Sequence, residues 1–140
     1  MLALPPNHRT ALIIVDMQTT YFRDDERSQG IQDACAAINR LSAAFDACTL
    51  PVYHVISSYK ADRSDWDLKM LEAGVPEFIE GTPEVAILPQ IDVRPVHHIL
   101  TKTRYSAFFK TDLAQRLQAA RIARAAVAGA YTHHCVNATI

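Results

Sequence analysis

The chain has 140 residues, enough for one domain whose core buries roughly two-thirds of its unfolded surface. Hydrophobic residues make up 49% and charged residues 21%, a globular mix that excludes a disordered or fibrous polymer. A formal net charge of −1, with no long basic or acidic run, offers no grip to nucleic acid or an anionic membrane, which leaves a small molecule as the expected partner.

Thr10 to Asp16 (TALIIVD) is a continuous apolar run that stops at a carboxylate, the pattern of a strand buried on both faces. From Ile31 to Cys48 the residues Ile31, Ala34, Cys35, Ile38, Leu41, Phe45 and Cys48 recur at helical spacing ahead of Pro51, which predicts an amphipathic helix. Val52 to Ser57 (VYHVIS) returns to strand composition, with His54 read as a satisfied core histidine. A polar stretch rich in Asp, Gly and Pro then runs to about Pro95 and is expected to shape a pocket. Within it, Ser64 with Asp67 three residues on predicts the cap of a short helix carrying Trp66, Leu68, Met70 and Leu71. His98 to Thr101 (HILT) predicts a third strand whose start His97 and His98 solvate, and Thr111 caps a helix through Leu113, Leu117 and Ala120. Ala123 to Ala130 (ARAAVAGA) is a fourth strand. Strands alternating with helices predict a three-layer α/β fold, a mostly parallel sheet with helices on both faces that binds ligands at the carboxyl ends of its strands.

No apolar stretch approaches the roughly 18 residues of a membrane span, and Met1 to Thr10 lack the basic start and apolar run of a signal peptide, so the expected location is cytoplasmic. The three cysteines, Cys35, Cys48 and Cys135, are too few and too scattered for a disulfide scaffold, and at least one must be a free thiol. Cys35 and Cys48 lie on roughly opposite sides of one helix and cannot pair.

Three reactive side chains fall where this architecture puts its site. Asp16 ends the first strand, Lys102 follows the third, and Cys135 follows the fourth. Singly, each residue type has an ordinary use: a turn former, a solvated charge, a small buried hydrophobe. Together they form a nucleophile with a base and a cation.

The pieces LIIVDMQTTYF, EGTPEVAILP, LTKTRYSAFFKTDL and VAGAYTHHCVNATI resemble, in order, the signatures of the isochorismatase-like cysteine hydrolases, a family that includes nicotinamidases, carbamoylsarcosine amidases and isochorismatases. The resemblance implies a catalytic set of Asp16, Lys102 and Cys135. It implies hydrolysis of a small amide or carbamoyl C–N bond: Asp16 takes the thiol proton, Lys102 and the N-terminus of a helix beginning near Cys135 favour the thiolate, and water cleaves a thioester. The turn at Ala130 and Tyr131 matches the family's oxyanion site, often built beside a non-proline cis peptide. Gln18, Phe22, Tyr105 and Phe108 are the substrate-pocket candidates, with Trp66 a further aromatic. Two alternatives stay open: vinyl-ether hydrolysis of an isochorismate-type substrate with Asp16 as acid, and an inactive family member serving as a binding or assembly module.

Some nicotinamidases bind a metal through a D-x-H motif after the second strand, but Ser57, Ser58, Tyr59 and Lys60 stand here, so neither metal nor other cofactor is expected. His133 and His134 suggest a Cys-His dyad, against which consecutive side chains point in different directions. The chain stops at Ile140, five residues after Cys135, whereas relatives continue through more helix and strand. Residues 1–140 are therefore expected to form a single domain lacking its C-terminal part. Its sheet would end on an open fourth strand, for which a homo-oligomer is the expected cover.

Overall fold

The computed structural model describes residues 9–23 and 28–140. Residues 1–8, most of the stretch read for a signal peptide, lie outside them. Four strands, β1 (Thr10–Val15), β2 (Val52–Ser57), β3 (His98–Lys102) and β4 (Arg124–Gly129), form one sheet in the order β3-β2-β1-β4, with every pairing parallel. The helices are α1 (Ser28–Ala47), α2 (Leu68–Ala73) and α3 (Leu113–Ala119), and the chain closes on a π-helical turn, Thr132–Val136, and one further helical turn, Asn137–Thr139.

The apolar run of β1 is explained by its two covered faces. Ala11, Ile13 and Val15 pack with Tyr53, Val55, Leu100 and Leu113 on the α3 side, whereas Leu12 and Ile14 pack with Cys35, Ile38 and Val52 on the α1 side. Leu12, Ile13 and Val15 are fully buried, each contributing about 1.5–3 kcal/mol relative to an exposed side chain. The polar 58–95 stretch holds a third cluster of Tyr59, Trp66, Met70 and Phe78, against which Tyr21 leans.

Several expectations require correction. Asp67, not Ser64, caps α2: its carboxylate accepts the Met70 backbone N–H at 2.8 Å, because the cap oxygen must reach the third residue of the helix. Trp66 precedes that helix and is buried, its indole N–H donating to Lys60 O at 2.8 Å. His97 does not solvate the start of β3; it is buried and belongs to a chain of hydrogen bonds under α1. His97 Nδ1 receives the Arg94 backbone N–H at 3.2 Å and faces His54 Nε2 at 3.0 Å, while His97 Nε2 lies 3.1 Å from both Asp46 carboxylate oxygens. An Nδ1 that accepts a backbone N–H carries no hydrogen, which leaves Nε2 of His97 to donate to Asp46. His54 in turn donates from its own Nε2, and its Nδ1 is left without a partner among the described residues. His54 is thus a core histidine only half satisfied.

From β1 the chain moves outward to β2 and β3 on one side, and β4 joins the other, so the strand order reverses between β1 and β4. In an open parallel sheet the crevice at that reversal, beyond the carboxyl ends, is where ligands bind. Gly129 makes the reversal close. At φ 130° it sits opposite Val15, and a Cβ there would lie 2.0 Å from Val15 O. Only glycine permits that approach, which places the following turn beside the end of β1.

Candidate active site

Each of the four strands delivers one polar side chain to this end of the sheet: Asp16 just after β1, Ser57 ending β2, Lys102 ending β3, and Cys135 beyond β4. Asp16 has φ 53°, a left-handed turn that aspartate tolerates better than most residues and that ends the strand there. Ser57 and Lys102 are register partners. Asp16, Ser57, Lys102 and Cys135 are all buried, Asp16 completely.

Lys102 Nζ is the hub. It stands 2.9 Å from Asp16 Oδ2, 3.1 Å from Ser57 Oγ, 3.1 Å from Arg104 O and 3.4 Å from Cys135 Sγ. The ion pair is shut from water, with side-chain exposures of 1% for Lys102 and 0% for Asp16, so either charge alone would be strongly unfavourable. Asp16 Oδ1 accepts both the Ser57 hydroxyl at 3.0 Å and the Ser57 N–H at 3.1 Å. Oδ2, despite its ionic contact with Lys102, receives no directed hydrogen bond from the described residues.

The thiol is held protonated. Burial first, and then the neighbouring Asp16 carboxylate, push Cys135 up to about 11, outweighing Lys102, which acts the other way. Lys102 favours the thiolate as expected, but burial and Asp16 outweigh it. Cys135 is the fourth residue of a five-residue π-helical turn, and a helix that short supplies little dipole. Burial also raises Tyr21 and Tyr59, whose hydroxyls feel the charge of Asp16 and stay protonated.

A cavity of about 240 Å³ opens onto this cluster. Tyr21, Tyr59, Met70, Phe78, Arg104 and Tyr131 line it together with Ser57, Lys102 and Cys135, and Tyr105 and His134 stack at 5.4 Å on its wall. The Ala130–Tyr131 peptide bond is cis, and the Tyr131 hydroxyl donates to Tyr21 O at 2.9 Å.

Among the sequence candidates, Asp16, Lys102 and Cys135 come together and Tyr105 and Tyr131 reach the cavity. Gln18, Phe22 and Phe108 do not line it. Gln18 is fully buried as a brace, its amide holding Ser57 O at 2.9 Å and Val85 O at 3.1 Å while its carbonyl accepts Ser57 N–H at 2.8 Å. Phe22 packs on the α1-side core, and Phe108 faces solvent. His133 and His134 are exposed, and the sulfur's partners are Lys102 and Asp16 instead. Ser57 and Tyr21 were missed as site residues. A serine closing a strand beside one that ends in lysine was the available signal for the first. Among the described residues no group of three or more His, Cys, Asp or Glu is arranged to hold a metal ion.

A parallel sheet with a buried thiol, carboxylate and ammonium at its carboxyl ends defines the class of α/β cysteine hydrolases. The isochorismatase domain model matches residues 10–140, and the chain belongs to the isochorismatase family. It is 26% identical to a ureidoacrylate amidohydrolase, RutB, of Agrobacterium fabrum across 94% of this chain and 68% of that protein. The fold superposes on an isochorismatase family protein from Desulfovibrio vulgaris with a TM-score of 0.83, at 27% identity over 95% of this chain and 73% of that one. A cysteine hydrolase from Pseudomonas syringae matches with a TM-score of 0.80, at 26% identity over 100% of this chain and 67% of that one.

Proposed function

We propose that this protein hydrolyses the C–N bond of a small amide or carbamoyl compound through a thioester on Cys135. The observation that carries this reading is the contact of one ammonium, Lys102 Nζ, with both the carboxylate of Asp16 at 2.9 Å and the sulfur of Cys135 at 3.4 Å. The thiol proton passes to Asp16 as the sulfur adds to the carbonyl carbon, and Lys102 follows the negative charge from oxygen to sulfur. Backbone amides of the turn from Ala130 to Cys135 receive the oxyanion. The protonated Asp16 then gives its proton to the departing amine, and as the carboxylate it draws a proton from the water that cleaves the thioester.

The cavity, below the roughly 300 Å³ lower end usual for ligand pockets, suits a small substrate. Ureidoacrylate is the first compound to test, given the likeness to an enzyme named for it. Ammonia or carbon dioxide release from ureidoacrylate and from simple primary amides supports the reading if Cys135→Ala abolishes it; turnover that persists in Cys135→Ala overturns it. We place the protein in the cytoplasm, where a thiol nucleophile stays reduced, in keeping with three free cysteines. A homo-oligomer is also proposed, and a monomeric mass by light scattering would contradict it.

A further inference from the structure

Ser57 has no part in the reading above, yet its hydroxyl lies between the two charges of the site. Lys102 is an ammonium and can only donate, so its 3.1 Å bond to Ser57 Oγ turns the hydroxyl hydrogen toward an acceptor, and the charged Asp16 Oδ1 at 3.0 Å is a stronger one than the neutral Tyr21 hydroxyl that also meets Ser57. The Ser57 N–H also points at Oδ1, but it is divided between that oxygen at 3.1 Å and Gln18 Oε1 at 2.8 Å. Among the described residues the hydroxyl is therefore the main side-chain donor to Oδ1. Gln18 fixes it in place, holding the N–H and the C=O of Ser57 from both sides. The opposite oxygen, Oδ2, accepts no directed hydrogen bond from the described residues.

We propose that Ser57 is a positioning residue that occupies Asp16 Oδ1 and so assigns proton acceptance to Oδ2, the oxygen that shares Lys102 with the Cys135 sulfur. In the step this sets up, the S–H bond breaks, an O–H bond forms on Oδ2, and the electron pair remains on sulfur. Lys102 exchanges a carboxylate partner for a thiolate without moving far, and the net charge of the site is unchanged. This inference rests on the proposed role of Cys135 and Asp16 as a nucleophile and its base.

Such an internal transfer leaves a signature. Between the ionisations of a coupled thiol and carboxylate pair, the share of the thiolate–carboxylic acid form does not change with pH. The other groups about the sulfur are Tyr21 and Tyr59, which stay protonated, and Arg104 and His134 on the cavity wall.

The experiment is alkylation by iodoacetamide from about pH 6 to 8, with labelling at each cysteine resolved by peptide mass spectrometry. Exposed Cys48 is the accessible reference; an unassisted thiol below its pKa gains about tenfold per pH unit, and buried Cys35 reports that the fold is intact. In the wild type, Cys135 labelling is expected to be nearly flat with pH. In Ser57→Ala, where Asp16 loses the hydroxyl that holds it toward the sulfur, it should climb with pH as Cys48 does and fall at least about tenfold at neutral pH through misplacement of the base, and Ser57→Thr, which keeps the hydroxyl, should restore the flat profile. A Ser57→Ala profile identical to the wild type overturns the proposal and leaves the Cys135–Asp16 reading standing. Loss of Cys35 protection in Ser57→Ala overturns it by assigning the hydroxyl to stability. A wild-type Cys135 that climbs with pH like Cys48 overturns both, because Asp16 then takes no proton from sulfur.

Discussion

The side chains at the carboxyl ends of the sheet and the histidine chain beneath α1 are both shut away from water, but they hold polarity in different ways. At the sheet end, opposite charges meet directly, Asp16 on Lys102 at 2.9 Å, and the surrounding donors are placed so that one carboxylate oxygen stays open. Beneath α1, the Asp46 carboxylate, His97 and His54 are linked in a chain of hydrogen bonds, and the atom left over, His54 Nδ1, is buried without a partner among the described residues. A buried ion pair with an open lone pair can move a proton; a neutral ring with an unpartnered nitrogen can only lose by gaining one. The first arrangement suits chemistry and the second suits packing, at a cost that depends on pH.

The difference is tested most strongly by taking away one charge. Lys102→Met leaves Asp16 buried without its partner and is expected to cost about 3–5 kcal/mol, read as a lowered midpoint in urea denaturation. A loss under about 1 kcal/mol would mean that the pair is solvated and that the site is not dry.

The histidine chain should respond to acid instead. Burial, and then His97, lower His54 to about 4 from its ordinary 6.5. Because the folded state takes up that proton less readily than the unfolded chain, the stability present above about pH 6.5 is lost as pH falls towards 4. The full loss from this residue is about 3 kcal/mol. Urea midpoints measured across that range should fall in the wild type and fall less in His54→Gln.

A smaller effect separates the contributions at the sulfur. Asp16 is the chief charge that raises Cys135, so Asp16→Asn should move the thiol's titration, followed by thiolate absorbance, down from about 11. An unchanged titration would leave burial alone as the cause.

Much of this arrangement was legible in the sequence because it follows from period and position. The unbroken apolar run of β1 marked a strand covered on both faces, and Asp16, Lys102 and Cys135 were conspicuous as reactive residues at strand ends. Ser57 was not, since serine at the end of a strand also reads as a turn former, and its role depends on facing Lys102 across a pairing that sequence does not display. Gln18 and Phe22 stand close to Asp16 in the chain and were read as pocket residues; one proves to brace Ser57 and the other to pack on the α1-side core. Apolar pattern cannot distinguish a cavity wall from a core, because both require the same side chains. Nothing in the apolar pattern sets Tyr21 apart either, although its ring, 4.7 Å from Phe78 and 5.4 Å from Tyr131, forms part of the cavity wall.

The central claim is that Cys135 carries the substrate's acyl group, and the most direct test is rapid acid quenching during turnover of ureidoacrylate or the best primary amide, followed by intact and peptide mass spectrometry. A covalent route predicts an acyl adduct confined to the peptide containing Cys135 and absent from Cys135→Ala. Full turnover with no adduct, and with Cys135→Ala as active as the wild type, would contradict it.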